Sequence, residues 1–353
     1  MPTAEIQSHE PDRPRAESLP ISPREETAVA TTETQYLQRE LERRREVLHS
    51  AIHGSARDAG LAELLRQVDS ALERVQEGTF GICESCHESI EADRLLADPL
   101  IRFCVDHLNS EERRALESDL ELAARIQRGL LPPAAVRVAG WEARYYSKPA
   151  GVVSGDYCDL IETDGVLNFL LGDVTGKGVA ASMLMSHLHA TFRTLASQGL
   201  SPERMTEAAN RIFCESTLAG QYATLVVGRA AASGEVELVS AGHWPVLHLR
   251  DGSVGRIEAT GVPLGMFCNS RFSTHRVDLN RGERLVLYTD GISEASNAAG
   301  EEFGLDRLAR VAEECCALPL EAVTPAFLQS MQRFVSGAAP KDDVTLLVIG
   351  RAG

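Results

Sequence analysis

The stretch Val166-Leu-Asn-Phe-Leu-Leu-Gly-Asp-Val-Thr-Gly-Lys-Gly178 constrains this chain more than any other. An apolar run stops at an acid, turns through glycines and opens into the helical pattern that starts at Val179. The run reads as a buried strand that delivers Asp173 at its end, where a side chain reaches a cleft instead of the core. Gly176 and Gly178 give the backbone a tight path into the helix. A P-loop is excluded, because three residues instead of four separate Gly172 from Gly176, and Gly178 stands where the motif needs a Ser or Thr hydroxyl.

Other acids stand at strand boundaries. Arg284–Thr289 is an apolar strand that ends in Asp290 and Gly291, Pro340-Lys-Asp342-Asp343 precedes the C-terminal strand, and Asp156 lies in Val153-Ser-Gly-Asp-Tyr-Cys-Asp159. Any one of them could be a turn or capping residue. If four converge, each pair of carboxylates about 4 Å apart repels by about 4 kcal/mol at an effective dielectric of 20. Such a cluster needs cations, and all-oxygen ligands select Mg²⁺ or Mn²⁺.

Gly155-Asp156-Tyr, Gly172-Asp173-Val-Thr-Gly-Lys-Gly, Ala241-Gly-His-Trp-Pro, Gly261-Val-Pro-Leu-Gly, Tyr288-Thr-Asp290-Gly and Asp342-Asp343-Val-Thr-Leu-Leu-Val occur in this order. Together they resemble the SpoIIE/RsbU-like branch of the PPM metal-dependent protein phosphatases, over residues 120–350. The stretch Leu120–Pro133 resembles the lead-in helix of that branch.

The resemblance implies two Mg²⁺ or Mn²⁺ ions and hydrolysis of phosphoserine or phosphothreonine by a metal-bridging hydroxide. It also implies that Asp173 bridges both metals and that the Val174 carbonyl is a backbone ligand. Asp156 would hold one metal, and Asp290 and Asp342 the other. Asp343 is expected beside the ligands or in the turn. Some eukaryotic members place a phosphate-binding Arg where this chain has Val152, so phosphate grip would fall to the metals with Lys177. No Ser-His-Asp or Cys-x5-Arg constellation stands out, and His243 reads as a structural histidine between strands. By resemblance the substrate is a phosphorylated regulatory partner, a STAS-domain anti-sigma-factor antagonist.

Cys83-Glu-Ser-Cys86 and Cys104-Val-Asp-His107 form C-x2-C-x17-C-x2-H, a spacing that closes a tetrahedron around one structural Zn²⁺. Residues 60–109 resemble the DksA/TraR zinc finger, which usually has Cys where His107 stands; His87 is the competing fourth ligand. The alternative function is therefore a non-enzymatic transcription regulator that binds RNA polymerase through this module. Residues 78–109 carry six acids against two arginines, which disfavours direct nucleic-acid contact. Cys158, Cys214, Cys268, Cys315 and Cys316 lack ligand spacing and are expected to be buried apolar residues.

Residues 1–31, with five prolines and many charges, read as a disordered tail. Over 32–109, two apolar stripes (Leu37, Leu41, Leu48, Ile52; then Leu61, Leu65, Val68, Leu72, Val75) predict a helical hairpin ahead of the finger, with self-association through the stripes as the other reading. A linker helix over 110–133, with Leu116, Leu120, Ala123 and Leu130 at heptad-like spacing, is a candidate homodimer seam, or else packs on its own domain. Residues 134–353 complete the phosphatase-like domain. Strands are expected at 141–146, 166–172, 221–229, 235–240, 245–250, 272–279, 284–289 and 344–350, and helices at 179–197, 202–218, 303–316 and 321–336.

That order gives an α+β fold, and the resemblance specifies a layered α/β/β/α sandwich. The net charge of −16 argues against nucleic acid and against an anionic membrane surface. Met1–Glu26 is too polar for a signal peptide and no apolar run is long enough to span a bilayer, so a cytoplasmic protein is expected. Only three of the 35 basic residues are lysine: Lys148, Lys177 and Lys341.

Overall fold

A computed structural model describes residues 23–54, 59–108, 110–218, 220–250, 252–337 and 340–352. The chain divides into two compact units, one reaching to Ala115 and one spanning Leu116–Gly353.

In the first unit, α1 (Pro23–Gly54) packs against α2 (Ala59–Glu77). Leu41 and Leu48 interlock with Val68, Ala71 and Leu72, so the two stripes bury each other as a hairpin. Helix α1 begins at Pro23, nine residues before the periodic pattern at Thr32. Residues 23–31 are rich in good helix formers, and proline is tolerated at a first helical position. Residues 1–22, and 55–58 at the hairpin turn, lie outside the described residues. The finger follows, with the short α3 (Ala92–Ala97) and a 3₁₀ turn over Val105–His107. Leu37 of α1 packs into its small core beside Cys83, Ile90, Leu95 and Cys104.

Helix α4 (Ser110–Leu130) leads into the second unit, where two antiparallel sheets stack. One has the order β1 (Ala135–Val138), β2 (Trp141–Lys148), β11 (Val344–Arg351), β10 (Arg284–Tyr288), β7 (Val246–Arg250), β8 (Ser253–Ile257). The other runs β3 (Tyr157–Thr163), β4 (Val166–Val174), β5 (Ala223–Ala230), β6 (Glu235–Ala241), β9 (His275–Asp278). The period-2 alternation of the strands divides their side chains between two layers. Leu167, Phe169 and Leu171 of β4 meet Leu285, Leu287, Leu347 and Ile349 between the sheets. Leu170 and Val174, on the opposite face of β4, meet Met185, Leu188 and Phe192 of α5 (Gly178–Ala196) and Phe213 of α6 (Pro202–Ser216). The far face of the first sheet is covered by α8 (Gly304–Cys315) and α9 (Leu320–Val335). This is the expected α/β/β/α sandwich. Among the described residues no helix is long and apolar enough to cross a membrane.

Three strands are absent from the sequence-based expectation, and β3 shows why. Asp159 interrupts its apolar pattern, yet it is completely buried, because Arg193 of α5 reaches it with two hydrogen bonds of 2.8 Å. A bidentate partner makes the buried carboxylate tolerable, and no local pattern announces it. The expected burial of the five remaining cysteines holds fully for Cys158 and Cys315 only. Cys214 and Cys316 are half-buried and Cys268 is exposed, since it sits in a loop that neither sheet covers.

Candidate functional site: carboxylates at the seam between the sheets

Strand β4 carries Asp173 out beyond the core, opposite Thr224 of β5. Strand β10 ends at Tyr288, and after the N-cap Thr289 the short α7 (Asp290–Ser293) begins with the second acid. Asp342 precedes β11, which pairs with β10 and brings the third acid to the same edge. The chain path needs glycine here. A Cβ at Gly291 would lie 1.9 Å from the Asp343 carbonyl oxygen, so glycine alone lets the Asp290 turn approach the Asp342–Asp343 backbone. At Gly155 a Cβ would press on the Val174 carbonyl at 3.2 Å and on Asp173 Oδ1 at 3.4 Å.

Asp173, Asp290 and Asp342 line one cleft of about 460 Å³, together with Val174, Lys177, Thr224 and His243. The Lys177 ammonium lies 2.8 Å from Asp342 Oδ2 and donates to the Lys341 carbonyl at 2.9 Å. Lys177 is therefore paired with an acid of the cleft. Asp156 is not on the cleft wall: it is buried behind it, 3% exposed. Its Oδ2 accepts hydrogen bonds from Thr289 Oγ1 at 3.0 Å and from Thr345 Oγ1, while Oδ1 is buried without a partner. Asp343 is spent on the backbone. Its Oδ1 accepts from Ala150 N at 2.7 Å, and its Oδ2 from Ser154 Oγ at 2.7 Å and Gly155 N at 2.8 Å. It thereby ties the loop that carries Asp156 to the start of β11.

Asp173, Asp290 and Asp156 hold protons against the usual tendency of a carboxyl. Burial pushes the Asp173 carboxyl up to about 7, reinforced by Asp290, Asp342 and Asp343. Asp290 is raised by burial and then by Asp342; Asp156 is raised well above the carboxylate range by burial and then by Asp173. A buried carboxylate oxygen without a partner, beside acids that repel one another, is the environment a divalent cation relieves. The all-oxygen donor set fits Mg²⁺ or Mn²⁺.

Sequence reasoning placed His243 as a structural residue and missed the other neutral members of the site, Gln127, Ser154, Thr289 and Thr345. His243 bridges the two sheets: its Nδ1 accepts from Thr224 Oγ1 at 2.9 Å, and its Nε2–H donates to the Tyr288 carbonyl at 3.1 Å. Burial lowers it to about 4, so it is the neutral structural histidine expected. Gln127 of α4 grips the backbone beside Asp156. Its Nε2 donates to the Ser154 carbonyl at 2.6 Å, and its Oε1 accepts from Ser154 N at 2.9 Å. The available signal was the hydroxyl residue within two positions of three acids: Ser154 by Asp156, Thr289 by Asp290, Thr345 by Asp343.

In the first unit one donor atom from each of Cys83, Cys86, Cys104 and His107 lies within 4.8 Å of the others. His87 falls outside this group and is exposed, with a left-handed φ of 61° in the knuckle turn. Against the desolvation that raises a buried thiol, the N–H groups of Cys104, Cys86 and Ser85 bring Cys83 down to about 6. N–H donors aimed at a thiolate are what a metal-binding knuckle requires.

The raised acids make a pH prediction for chelator-treated protein. A folded carboxyl titrating near 7, against about 4 when unfolded, favours the native state while protonated. That contribution is fully present below about pH 4 and is lost as pH rises through 7. Between pH 5 and 8 the melting temperature of metal-stripped protein should therefore fall, and Asp173→Asn should flatten the slope. A slope unchanged in the variant would show that Asp173 does not carry the effect.

The comparisons with known proteins agree with this geometry. The family model of stage II sporulation protein E (SpoIIE) matches residues 163–352, more than half of the chain. That of the prokaryotic DksA/TraR C4-type zinc finger matches residues 78–106. The chain is 27% identical over 263 residues to protein IcfG of Synechocystis sp., an alignment covering 66% of this chain and 41% of that protein. It is 26% identical over 246 residues to phosphoserine phosphatase RsbU of Bacillus subtilis, covering 68% and 72%. The fold matches the SiaA-PP2C domain of Pseudomonas aeruginosa with a TM-score of 0.60 at 20% identity, over 68% of this chain and 98% of that domain. Clustered acids at the seam of an α/β/β/α sandwich, and a family match over that same domain, lead to one conclusion: this chain belongs to the SpoIIE family of PPM-type phosphatases and carries a DksA/TraR-type zinc-finger module ahead of the phosphatase domain.

Proposed function

We propose that the chain is a metal-dependent protein serine/threonine phosphatase acting on a phosphorylated regulatory protein in the cytoplasm. The observation that carries this is the convergence of Asp173, Asp290 and Asp342 on one open cleft, with Asp156 behind them. Asp156, Asp173, the Val174 carbonyl, Asp290 and Asp342 would together hold the pair of Mg²⁺ or Mn²⁺ ions, with Asp173 common to both. When bound, the metal pair supplies Lewis-acid activation of water and of the phosphoryl group.

The protein's own residues orient that chemistry. Asp343 fixes the loop over 150–155, and Thr289 and Thr345 hold one oxygen of Asp156. His243 delivers no proton, because both ring nitrogens are committed within the fold. Lys177, on the cleft wall, is free to turn from Asp342 toward a phosphoryl oxygen once cations neutralise that carboxylate. RsbU is named a phosphoserine phosphatase, and a phosphorylated STAS-domain anti-sigma-factor antagonist is the first substrate to try. No specific observation favours the polymerase-binding reading, for which the hairpin tip at 55–58 lies outside the described residues.

With p-nitrophenyl phosphate or a phosphoserine peptide and Mn²⁺, Asp173→Ala should lower turnover by more than about a hundredfold while circular dichroism stays native. EDTA should abolish activity and Mn²⁺ restore it. Turnover that persists in both cases would overturn the two-metal reading.

Cys83, Cys86, Cys104 and His107 would hold one structural Zn²⁺. Elemental analysis of protein purified without chelator should give one zinc per chain, and Cys83→Ser should lose it together with exchange protection over 78–107. A zinc content near zero in the unaltered protein excludes the site.

Homodimerisation through α4 is supported by exposed apolar side chains, Leu122 at 48% and Ile126 at 59%. This seam is rotated from the heptad-like set, because Ala124 and Gln127 face the phosphatase domain. Light scattering should give twice the 38.3 kDa chain mass, and Leu122→Glu with Ile126→Glu should halve it. A monomer at micromolar concentration would make α4 a connector.

A further inference from the structure

A second cavity of about 580 Å³ adjoins the acidic cleft and shares Lys177 and Asp342 with it. All three lysines of the protein line this cavity, although the other 32 of its 35 basic residues are arginine. They come from three separate segments. Lys148 ends β2 and pairs in register with Val344 of β11; Lys341 lies three residues before that position; Lys177 arrives from the other sheet through the β4–α5 loop.

Lysines that served only to offset the acids of the neighbouring cleft would sit on those carboxylates. Lys177 does so, on Asp342. Among the described residues Lys148 and Lys341 form no ion pair, and both are exposed into the cavity they line. The remaining wall is mixed. Met331, Val335 and Tyr146 give it an apolar side, whereas Glu294, Glu302 and Gln332 give it acceptors and an amide.

A free dianion would meet both glutamates as well as the lysines. A polypeptide satisfies the whole wall: its acidic side chain takes the ammonium groups, its N–H groups meet the glutamates and Gln332, and its aliphatic stems lie on the apolar side. Lysine suits this task, being a point charge on a flexible stem that follows a single carboxylate without demanding fork geometry.

We propose that this cavity is a substrate-recognition subsite, in which Lys148 and Lys341 bind an acidic side chain flanking the phosphorylated residue held in the adjoining cleft. The subsite selects phosphoproteins with an Asp or Glu close to the phosphoserine. It rests on the phosphatase reading above, and it adds a specificity determinant outside the metal ligands.

The test compares two phosphoserine peptides, one with Glu at the flanking positions and one with Gln, together with p-nitrophenyl phosphate, using the full chain and Mn²⁺. Lys148→Ala with Lys341→Ala should raise KM for the Glu peptide about tenfold, equivalent to about 1.4 kcal/mol, and leave its kcat within about twofold. KM for the Gln peptide and turnover of p-nitrophenyl phosphate should not change, and Lys148→Arg with Lys341→Arg should recover most of the affinity.

Equal shifts for both peptides, or none for either, overturn the proposal. So does a double variant in which only inhibition by inorganic phosphate weakens, because the lysines then take free phosphate. If the unaltered protein hydrolyses none of the three substrates, the phosphatase reading fails on its own. Fluorescence anisotropy of the labelled peptides with metal-stripped protein then decides the subsite: about tenfold preference for the Glu peptide, lost in the double variant, supports it, and equal affinities end it.

Discussion

Mutual repulsion among carboxylates at one edge of the sandwich is the constraint on which the rest of the second unit depends. Two such groups about 4 Å apart oppose each other by several kcal/mol at an effective dielectric near 20, and here three line one cleft with a fourth behind it. The fold holds them by covalent placement at strand ends and by neutral hydrogen-bond donors. Thr289 and Thr345 hold Asp156, main-chain N–H groups and Ser154 hold Asp343, and His243 links the ends of β5 and β10 while staying uncharged. Among the described residues the counter-charge paired with these acids is Lys177, and it comes from an exposed side chain. The site is held by backbone and neutral hydrogen bonds and is electrostatically unsatisfied, the environment a divalent cation relieves.

The helix ahead of the sandwich touches this arrangement at one defined place. Gln127 makes both hydrogen bonds of its amide to the backbone of Ser154, and Ser154 in turn donates to Asp343 and receives the Asp156 N–H. Rotation of α4 by a fraction of a turn would break that pair of bonds and leave the loop that carries Asp156 held through Asp343, Thr289 and Thr345. The exposed Leu122 and Ile126 lie on a different face of the same helix from Gln127, so pairing on one face and gripping on the other do not compete.

Much of this molecule was legible in the sequence because its signals are local and periodic. The apolar run Val166–Leu171 marks a buried strand, the stripes Leu37–Leu48 and Leu61–Val75 mark a hairpin, and C-x2-C-x17-C-x2-H marks a metal knuckle. The acids themselves were legible as residues at strand ends. The sequence already favoured His107 over His87, because His87 directly follows Cys86; in the structure the knuckle turn puts His87 in the left-handed region and its ring lies outside the cluster.

What only the tertiary structure decided are relations between residues far apart in the chain. Asp159 is 34 residues from the arginine that makes its burial possible, Gln127 is 27 from the backbone it grips, and Asp343 is 188 from the Gly155 amide it accepts. The division of the four acids, three on the cleft and Asp156 behind it, follows from sheet stacking and from glycines that let backbones approach, neither of which leaves a periodic trace. The three lysines could be counted in the sequence, but their meeting in one cavity depends on the β2–β11 register and on a loop from the other sheet. Sequence determines the elements because side-chain periodicity acts over a few residues; it does not by itself state which ends meet, because that is set by packing across the whole core.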